Sequence, residues 1–140
     1  MSIKSWFLTS FREIFLYHYR SLEFRAKVFA LIIAPSCESA KVCDFTTLKK
    51  VAEEIYADRH RREVFLNIIK EYIAVILRNP ATAYDEAVRD INRKVKIDKN
   101  LAKKIDMSHI NRFVKADLSE ERRLLQQRIT EFLEVQSKIS

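Results

Sequence analysis

Glycine is absent from this 140-residue chain, and proline and cysteine occur only twice each. Glycine makes up roughly 7% of an average protein, and phosphate-binding loops, the dinucleotide-binding fingerprint and the nucleophile elbow all depend on it. The tight hairpins of turn-rich β-sandwiches also favour residues with positive φ. The absence of glycine therefore excludes those classes of enzyme site and argues against a β-sandwich.

Long apolar runs are also missing. The longest covers residues 28–34, which is far below the ~20 residues of a membrane-spanning helix. Near the N-terminus, charged side chains interrupt the apolar ones and no small-residue cleavage site follows, so a signal peptide is not indicated. We therefore expect no transmembrane segment and a cytoplasmic location.

The two cysteines, Cys37 and Cys43, lie in one segment that contains proline and serine. Their spacing fits no common zinc motif, and two ligands do not complete a zinc site. We expect ordinary reduced thiols, as is usual for a cytosolic protein. A reactive or disulfide-forming pair is the alternative.

Helical periodicity is present along almost the whole chain. Apolar residues recur at intervals of three and four, and no segment alternates for long enough to indicate a strand. With 48% hydrophobic and 32% charged residues, the composition is not that of a disordered chain. The pattern predicts an all-α fold, with residues 1–140 forming a single domain as a compact bundle of seven or eight helices. The predicted helices cover 3–19, 21–33, 46–57, 60–78, 83–96, 98–105, 107–115 and 119–136.

The helix over 60–78 carries the widest apolar stripe, which is typical of a central helix. Without glycine, the helix ends depend on proline and on short oxygen-bearing side chains. Pro35 is expected to end the helix over 21–33. Asp44 or Thr46 is expected to cap the next one. Pro80 stops the helix over 60–78, and Thr82 is expected to cap the helix after it.

Two segments, 40–56 and 112–128, share a pattern in which a helix ends, the chain turns at an aspartate (Asp44, Asp117) and a new helix begins. Any N-capped amphipathic helix gives this pattern, so it also fits two unrelated helix starts. In their order, these turns and the helices around them resemble the TerB-like domain, named for tellurite-resistance proteins. The resemblance covers about residues 21–136, and it is carried by 22–33, the Asp44 turn, 48–56, 61–70 and the Asp117 turn.

The resemblance implies an all-helical bundle of two similar halves, a role in tellurite or stress resistance, and association with the membrane periphery. Some members of the family bind a divalent metal. The family's turns typically have glycine after the aspartate and a glutamate a few residues later, whereas Asp44 is followed by Phe45 and Asp117 by Leu118. Because a calcium site needs six to eight oxygens in a tight loop, we expect no metal and no cofactor.

No arrangement of catalytic side chains is recognisable in the sequence. His18, His60 and His109 are far apart, and none has a second histidine four residues away. Adjacent carboxylates, such as Glu53 and Glu54, point about 100° apart on a helix and do not form a catalytic pair. We therefore expect no catalytic residues and no enzyme activity.

The chain carries a net charge of +7, and one concentration of basic residues lies within 89–104. Arg89, Arg93 and Lys96 are spaced to form one ridge on a helix. Such a ridge can bind phosphates or anionic lipids, although a solvated face on a basic protein is the alternative. The candidate anion-binding residues are Arg89, Arg93, Lys94, Lys96, Lys99, Lys103 and Lys104.

The predicted N-terminal helix, within residues 1–20, is unusually aromatic. Eight of the fifteen aromatic residues lie in the first thirty positions, and the apolar arc is wider than one contact with a core requires. We expect this helix to bind a protein partner, a membrane surface or a second copy of the chain; the alternative is a helix folded across the core. The candidate partner-binding residues are Trp6, Phe7, Phe11 and Phe15.

Together these features predict a non-catalytic, TerB-like interaction or stress-response domain that binds a protein partner or an anionic surface. The alternative is a nucleic-acid-binding helical protein that uses the basic 89–104 ridge, with the short helices 98–105 and 107–115 imitating a helix-turn-helix. No aromatic residue interrupts the ridge, so base stacking is not indicated.

Overall fold

A computed structural model describes residues 19–139 of the chain. Within this range the fold is all-α, as the periodicity predicts: α-helices and short 3-10 helices are present without any β-strand, and a single isolated bridge joins Ser39 to Val42. The predicted helix over 3–19 lies outside the described residues except for its last position. The α-helices are α1 (19–33), α2 (Thr46–Ile55), α3 (Arg59–Arg78), α4 (Pro80–Ile97), α5 (Met107–Ile110) and α6 (Glu120–Ser137), and the 3-10 helices are Ala34–Ser36, Lys99–Lys104 and Asn111–Phe113.

The most enclosed of these helices is α1, although the widest apolar stripe in the sequence is that of 60–78. Every residue of the 28–34 run is at most 3% exposed, because a helix that is apolar on all sides must be surrounded. The ring of Phe29 packs edge-on against Phe65 of α3 and against Phe113, with centroids 5.7 and 5.5 Å away. In contrast, α3 buries one stripe only: Phe65, Ile69, Ile73 and Ile76.

The helix starts depart in part from the expected capping. The N-cap of α2 is Phe45, without a side-chain capping bond, and Asp44 one residue earlier accepts a hydrogen bond from the Thr46 N–H at 2.9 Å. Thr82 does not cap α4, because that helix already begins at Pro80. Proline suits the first position of a helix, since the N–H that it lacks has no partner within the helix.

Short helices follow α4, as predicted, but they are mostly 3-10 in type. Within 98–105 a 3-10 helix covers Lys99–Lys104, and the Asp98 carboxylate before it accepts from the Asn100 N–H at 3.1 Å. The 107–115 segment is divided into the four-residue α5 and a 3-10 turn. Asp106 accepts from the backbone N–H of Ser108 at 3.0 Å at the start of α5. Aspartates thus set both of these helix starts.

Cys37 and Cys43 form a disulfide, so the expectation of reduced thiols is wrong. The chain between them turns back on itself, with Glu38 N–H donating to the Val42 carbonyl at 3.2 Å and Val42 N–H donating to the Ser39 carbonyl at 3.0 Å. This turn brings the two Cα atoms to 4.7 Å, within the range that a disulfide spans. The cysteine spacing alone does not reveal the turn.

Removal of the disulfide, in the variant C37A/C43A, is expected to lower the free energy of unfolding by about 2 kcal/mol. The crosslink closes a short loop, and its main effect is to restrict the unfolded chain. Urea unfolding of the oxidised protein, the protein reduced with dithiothreitol and C37A/C43A would measure this. The reduced protein should match the variant, and equal stability of the oxidised and reduced forms would contradict the prediction.

Candidate functional site

The two sets of predicted site residues differ in what the structure says about them. The aromatic set, Trp6, Phe7, Phe11 and Phe15, lies outside the described residues. The basic set within 89–104 lies entirely inside them. The site is therefore built from the basic residues, which the structure separates into three groups.

The first group, on α4, is paired with carboxylates. The Arg89 guanidinium lies 2.9 Å from Asp85, one turn earlier, and both side chains are more than half exposed. Arg93 and Lys94 both pair with Asp90, and the Lys94 Nζ lies 3.0 Å from its carboxylate. Arg89 has a carboxylate of its own, whereas Arg93 and Lys94 share the single charge of Asp90 with Lys27, so pairing reduces but does not cancel what this group offers to an external anion.

Asp90 is the centre of a partly buried charge cluster that joins α1, α3 and α4. Its side chain is 15% exposed and pairs with Lys27 of α1, which is 18% exposed. The Lys27 ammonium also lies 5.1 Å from the ring centroid of Tyr72, whose hydroxyl donates to Glu23 at 2.8 Å. Burial raises the pKa of Asp90, but hydrogen bonds and charge from Lys27 and Lys94 outweigh it and lower the pKa to about 2. Asp90 therefore stays ionised and joins α1 to α4, while Tyr72 of α3 is joined to α1 through Lys27 and Glu23.

The second group is the lysine segment, which we define as Lys96, Lys99 and Lys103. All three side chains are exposed and none pairs with a carboxylate in the part of the chain that the structure describes. The one acidic residue between them, Asp98, accepts a backbone hydrogen bond at the start of the 3-10 helix. Ile97, beside Lys96, is 79% exposed. The lysine segment thus presents three ammonium groups without a carboxylate partner among the described residues, and an exposed apolar side chain is next to the first of them in the sequence.

Lys104 stands apart as the third group. It lines a cavity of about 330 Å³ with Arg25 of α1 and Arg61 of α3, two residues that the sequence analysis did not select. The sequence does set each of them apart. Arg25 is a charged residue between the apolar residues Phe24 and Ala26, and Arg61 lies in the first turn of α3, which has four basic residues and no acidic one. Neither signal indicates which other residues lie nearby.

Other charged and titratable side chains form contacts between helices instead of a separate site. The Arg112 guanidinium contacts both carboxylate oxygens of Glu54 at 2.7 and 2.9 Å, which ties the end of α2 to the turn after α5. The His109 ring lies between Glu54 and Asp106, 3.8 and 3.4 Å from their oxygens. Across residues 19–139, no three His, Cys, Asp or Glu side chains are grouped closely enough to hold a metal ion.

Comparisons with known protein families, curated proteins and solved structures find no match to this chain. Among the helices in the described range, none combines the length and the apolar character needed to cross a membrane. What the arrangement offers chemically is positive charge at two places, the exposed lysine segment and the Arg25 cavity.

Proposed function

We propose that this chain is a non-catalytic helical binding domain that attaches peripherally to an anionic membrane surface through the lysine segment. The observation that carries the proposal is the set of three exposed ammonium groups within the eight residues 96–103, none of which pairs with a carboxylate among residues 19–139. A lysine near an anionic bilayer contributes about 1 kcal/mol to binding. Three together contribute about 3 kcal/mol to reversible attachment, and apolar contact by Ile97 adds to it.

The exposed Ile97 favours a lipid surface over a nucleic acid. An apolar side chain among ammonium groups can enter the boundary between headgroups and acyl chains while the charges stay at the headgroups. A duplex-binding protein, in contrast, places a helix in the major groove. The segments suggested for that role are a six-residue 3-10 helix and the four-residue α5. The positive charge of the segment is therefore the one feature that supports the nucleic-acid alternative.

The TerB-like assignment is part of the same proposal. It is supported by the all-α architecture and by the Asp44 turn, which stands directly before α2. With it come a bundle of two similar halves and a role in stress or tellurite resistance. One domain over 1–140 and a cytoplasmic location are proposed separately, from the length of the sequence and its lack of a signal-peptide pattern. The proposed contact with the membrane periphery agrees with the association that the resemblance implies.

Binding to vesicles that contain about 30 mol% phosphatidylserine is expected to fall about 100-fold in the variant K96Q/K99Q/K103Q. The loss corresponds to three lysines at about 1 kcal/mol each, and native binding should weaken steeply between about 50 and 300 mM salt. Co-sedimentation with vesicles at a series of lipid concentrations would measure the partition coefficients.

The matched control is K41Q/K49Q/K50Q, which removes the same number of exposed lysines and leaves the same net charge. It should bind the vesicles within about threefold of the native protein, because its lysines lie elsewhere in the fold. Equal losses in both triple variants would show attraction to net charge and would overturn the proposal. Retention on duplex DNA without vesicle binding would favour the nucleic-acid alternative instead.

A further inference from the structure

A separate cavity of about 330 Å³ lies where the first residues of α1, the end of α2, the start of α3 and the Lys99–Lys104 helix meet. Three basic side chains line it, Arg25, Arg61 and Lys104, and none of its described lining residues is acidic. The hydroxyl-bearing side chains of Ser21 and Tyr56 also line the cavity. Its lining is therefore positively charged and rich in hydrogen-bond donors.

None of the three cations is neutralised by the part of the chain that the structure describes. Ion pairs there involve other residues, and Arg61 and Lys104 have no side-chain partner at all among residues 19–139. Three positive charges around one cavity repel each other, and partial burial of Arg25 and Lys104 weakens the screening by water. An anion in the cavity would remove this repulsion.

Arg25 is already held in place for such an anion. Its Nη1 donates to the Tyr56 hydroxyl oxygen at 2.9 Å, and its guanidinium carbon lies 5.4 Å from the centroid of the same ring. A guanidinium has five N–H donors in a fixed planar fork, so one bond to Tyr56 fixes the group and leaves donors for a ligand. Prior positioning of this kind reduces the entropy lost on binding.

We propose that the cavity formed by Arg25, Arg61 and Lys104 is a binding site for a phosphate monoester group. A guanidinium fork matches two phosphate oxygens, and a lysine adds a mobile point charge. The volume is at the small end of the range for ligand pockets, so it suits the phosphate and a short attached group. Either a small phosphorylated compound or a lipid headgroup carries this chemistry. This site is distinct from the lysine segment, since the two share no residue.

Titration calorimetry with inorganic phosphate, at an ionic strength held constant with sodium chloride, tests the site directly. Saturable binding is expected, and R25Q and K104Q should each weaken it about tenfold or more, because each removes a charge-assisted hydrogen bond. K103Q is the matched control, since Lys103 precedes Lys104 on the same 3-10 helix but does not line the cavity. It should change the affinity by less than about twofold.

A second arm identifies the source of the phosphate group. Vesicles of phosphatidylcholine with about 20 mol% phosphatidic acid present the monoester as a headgroup, and a loss of binding in R25Q and K104Q would indicate the lipid source. Phosphate binding without such vesicle binding would indicate a small soluble ligand. The variant K96Q/K99Q/K103Q should retain phosphate affinity, which separates this site from the proposed membrane contact.

Two results would overturn the phosphate site. One is the absence of saturable binding up to about 20 mM phosphate together with no dependence of vesicle binding on Arg25. The other is phosphate binding that R25Q and K104Q leave unchanged. Because R25Q removes the bond to Tyr56, its fold is checked by circular dichroism. K104Q removes no hydrogen bond or ion pair within residues 19–139, so it keeps the test decisive if R25Q unfolds.

Discussion

Replacement of Gln126 by alanine is expected to lower the free energy of unfolding by about 3–5 kcal/mol, the largest effect that we expect from one polar residue of this fold. The side chain is only 1% exposed. Its Nε2 donates to the carbonyl oxygens of Ile32 and Phe113, both at 3.0 Å, and its Oε1 accepts from the Lys115 N–H at 2.9 Å. One amide therefore serves three backbone groups.

The expected loss of stability in Q126A follows from the positions of those three backbone groups. Ile32 is in the last turn of α1, and Phe113 and Lys115 lie where the chain leaves the last 3-10 helix on its way to α6. A buried backbone group that loses its partner costs about 1–3 kcal/mol. Alanine removes all three bonds at once and also leaves a space in the interior.

Urea unfolding of Q126A, Q126M and Q127A separates the contribution of the hydrogen bonds from that of side-chain packing. Methionine has nearly the length of glutamine but no amide, so Q126M should retain at least half of the Q126A loss through the missing hydrogen bonds. Gln127 is the next residue on α6 and is exposed, with one long hydrogen bond to Glu131 at 3.4 Å, so Q127A should stay within about 0.5 kcal/mol of native. A Q126M variant as stable as the native protein would show that packing, and not hydrogen bonding, accounts for Gln126.

The helices themselves follow closely from the sequence, because apolar spacing is a local property. The predicted helix at 60–78 is α3, Arg59–Arg78, and the one at 119–136 is α6, Glu120–Ser137. The enclosure of α1 does not follow from apolar spacing. Periodicity detects a helix with two unlike sides, whereas the run 28–34 has no polar side.

Contacts between residues that are far apart in the sequence could not be predicted from local patterns. Gln126 bonds to Ile32, which is 94 positions away, and Lys27 pairs with Asp90 across 63 positions. The cavity joins Arg25 and Arg61 to Lys104, of which only the last belongs to the predicted ridge. Arg89, Arg93 and Lys94 have their carboxylates three or four residues away on α4, whereas Lys27 reaches Asp90 only because α1 packs against α4.

Replacement of Asp90 by asparagine is expected to lower the free energy of unfolding by about 2–3 kcal/mol at neutral pH. The variant leaves the Lys27 ammonium, which is 18% exposed, without a carboxylate, and an uncompensated charge in a buried position is strongly destabilising. The matched control is D85N, since Asp85 pairs with Arg89 on the same helix but at an exposed position. Exposed pairs contribute about 0–1 kcal/mol, so D85N should lose no more than that.

The ion pairs of Asp90 also predict that the free energy of unfolding falls as the pH is lowered. The pKa of Asp90 is lowered from 3.8 to about 2 because, although burial raises it, Lys27 and Lys94 lower it further. A carboxyl whose pKa is lower in the folded protein stabilises it above the pKa of the unfolded chain, and this stabilisation is lost as the pH falls through the folded value. With allowance for solvent screening, about 1–2 kcal/mol of the native advantage over D90N should disappear between about pH 4 and pH 2.

Urea unfolding of native protein, D90N, K27M and K27M/D90N, at about pH 7 and about pH 2.5, tests both statements. If the cost of D90N comes from the stranded Lys27 charge, the same substitution should cost at least 1 kcal/mol less in the K27M background. An equal cost in both backgrounds would assign the effect to Lys94 and Arg93 on α4, and the cluster would then contribute nothing to holding α1 against α4. A difference between native and D90N that does not change with pH would exclude the lowered pKa as its source.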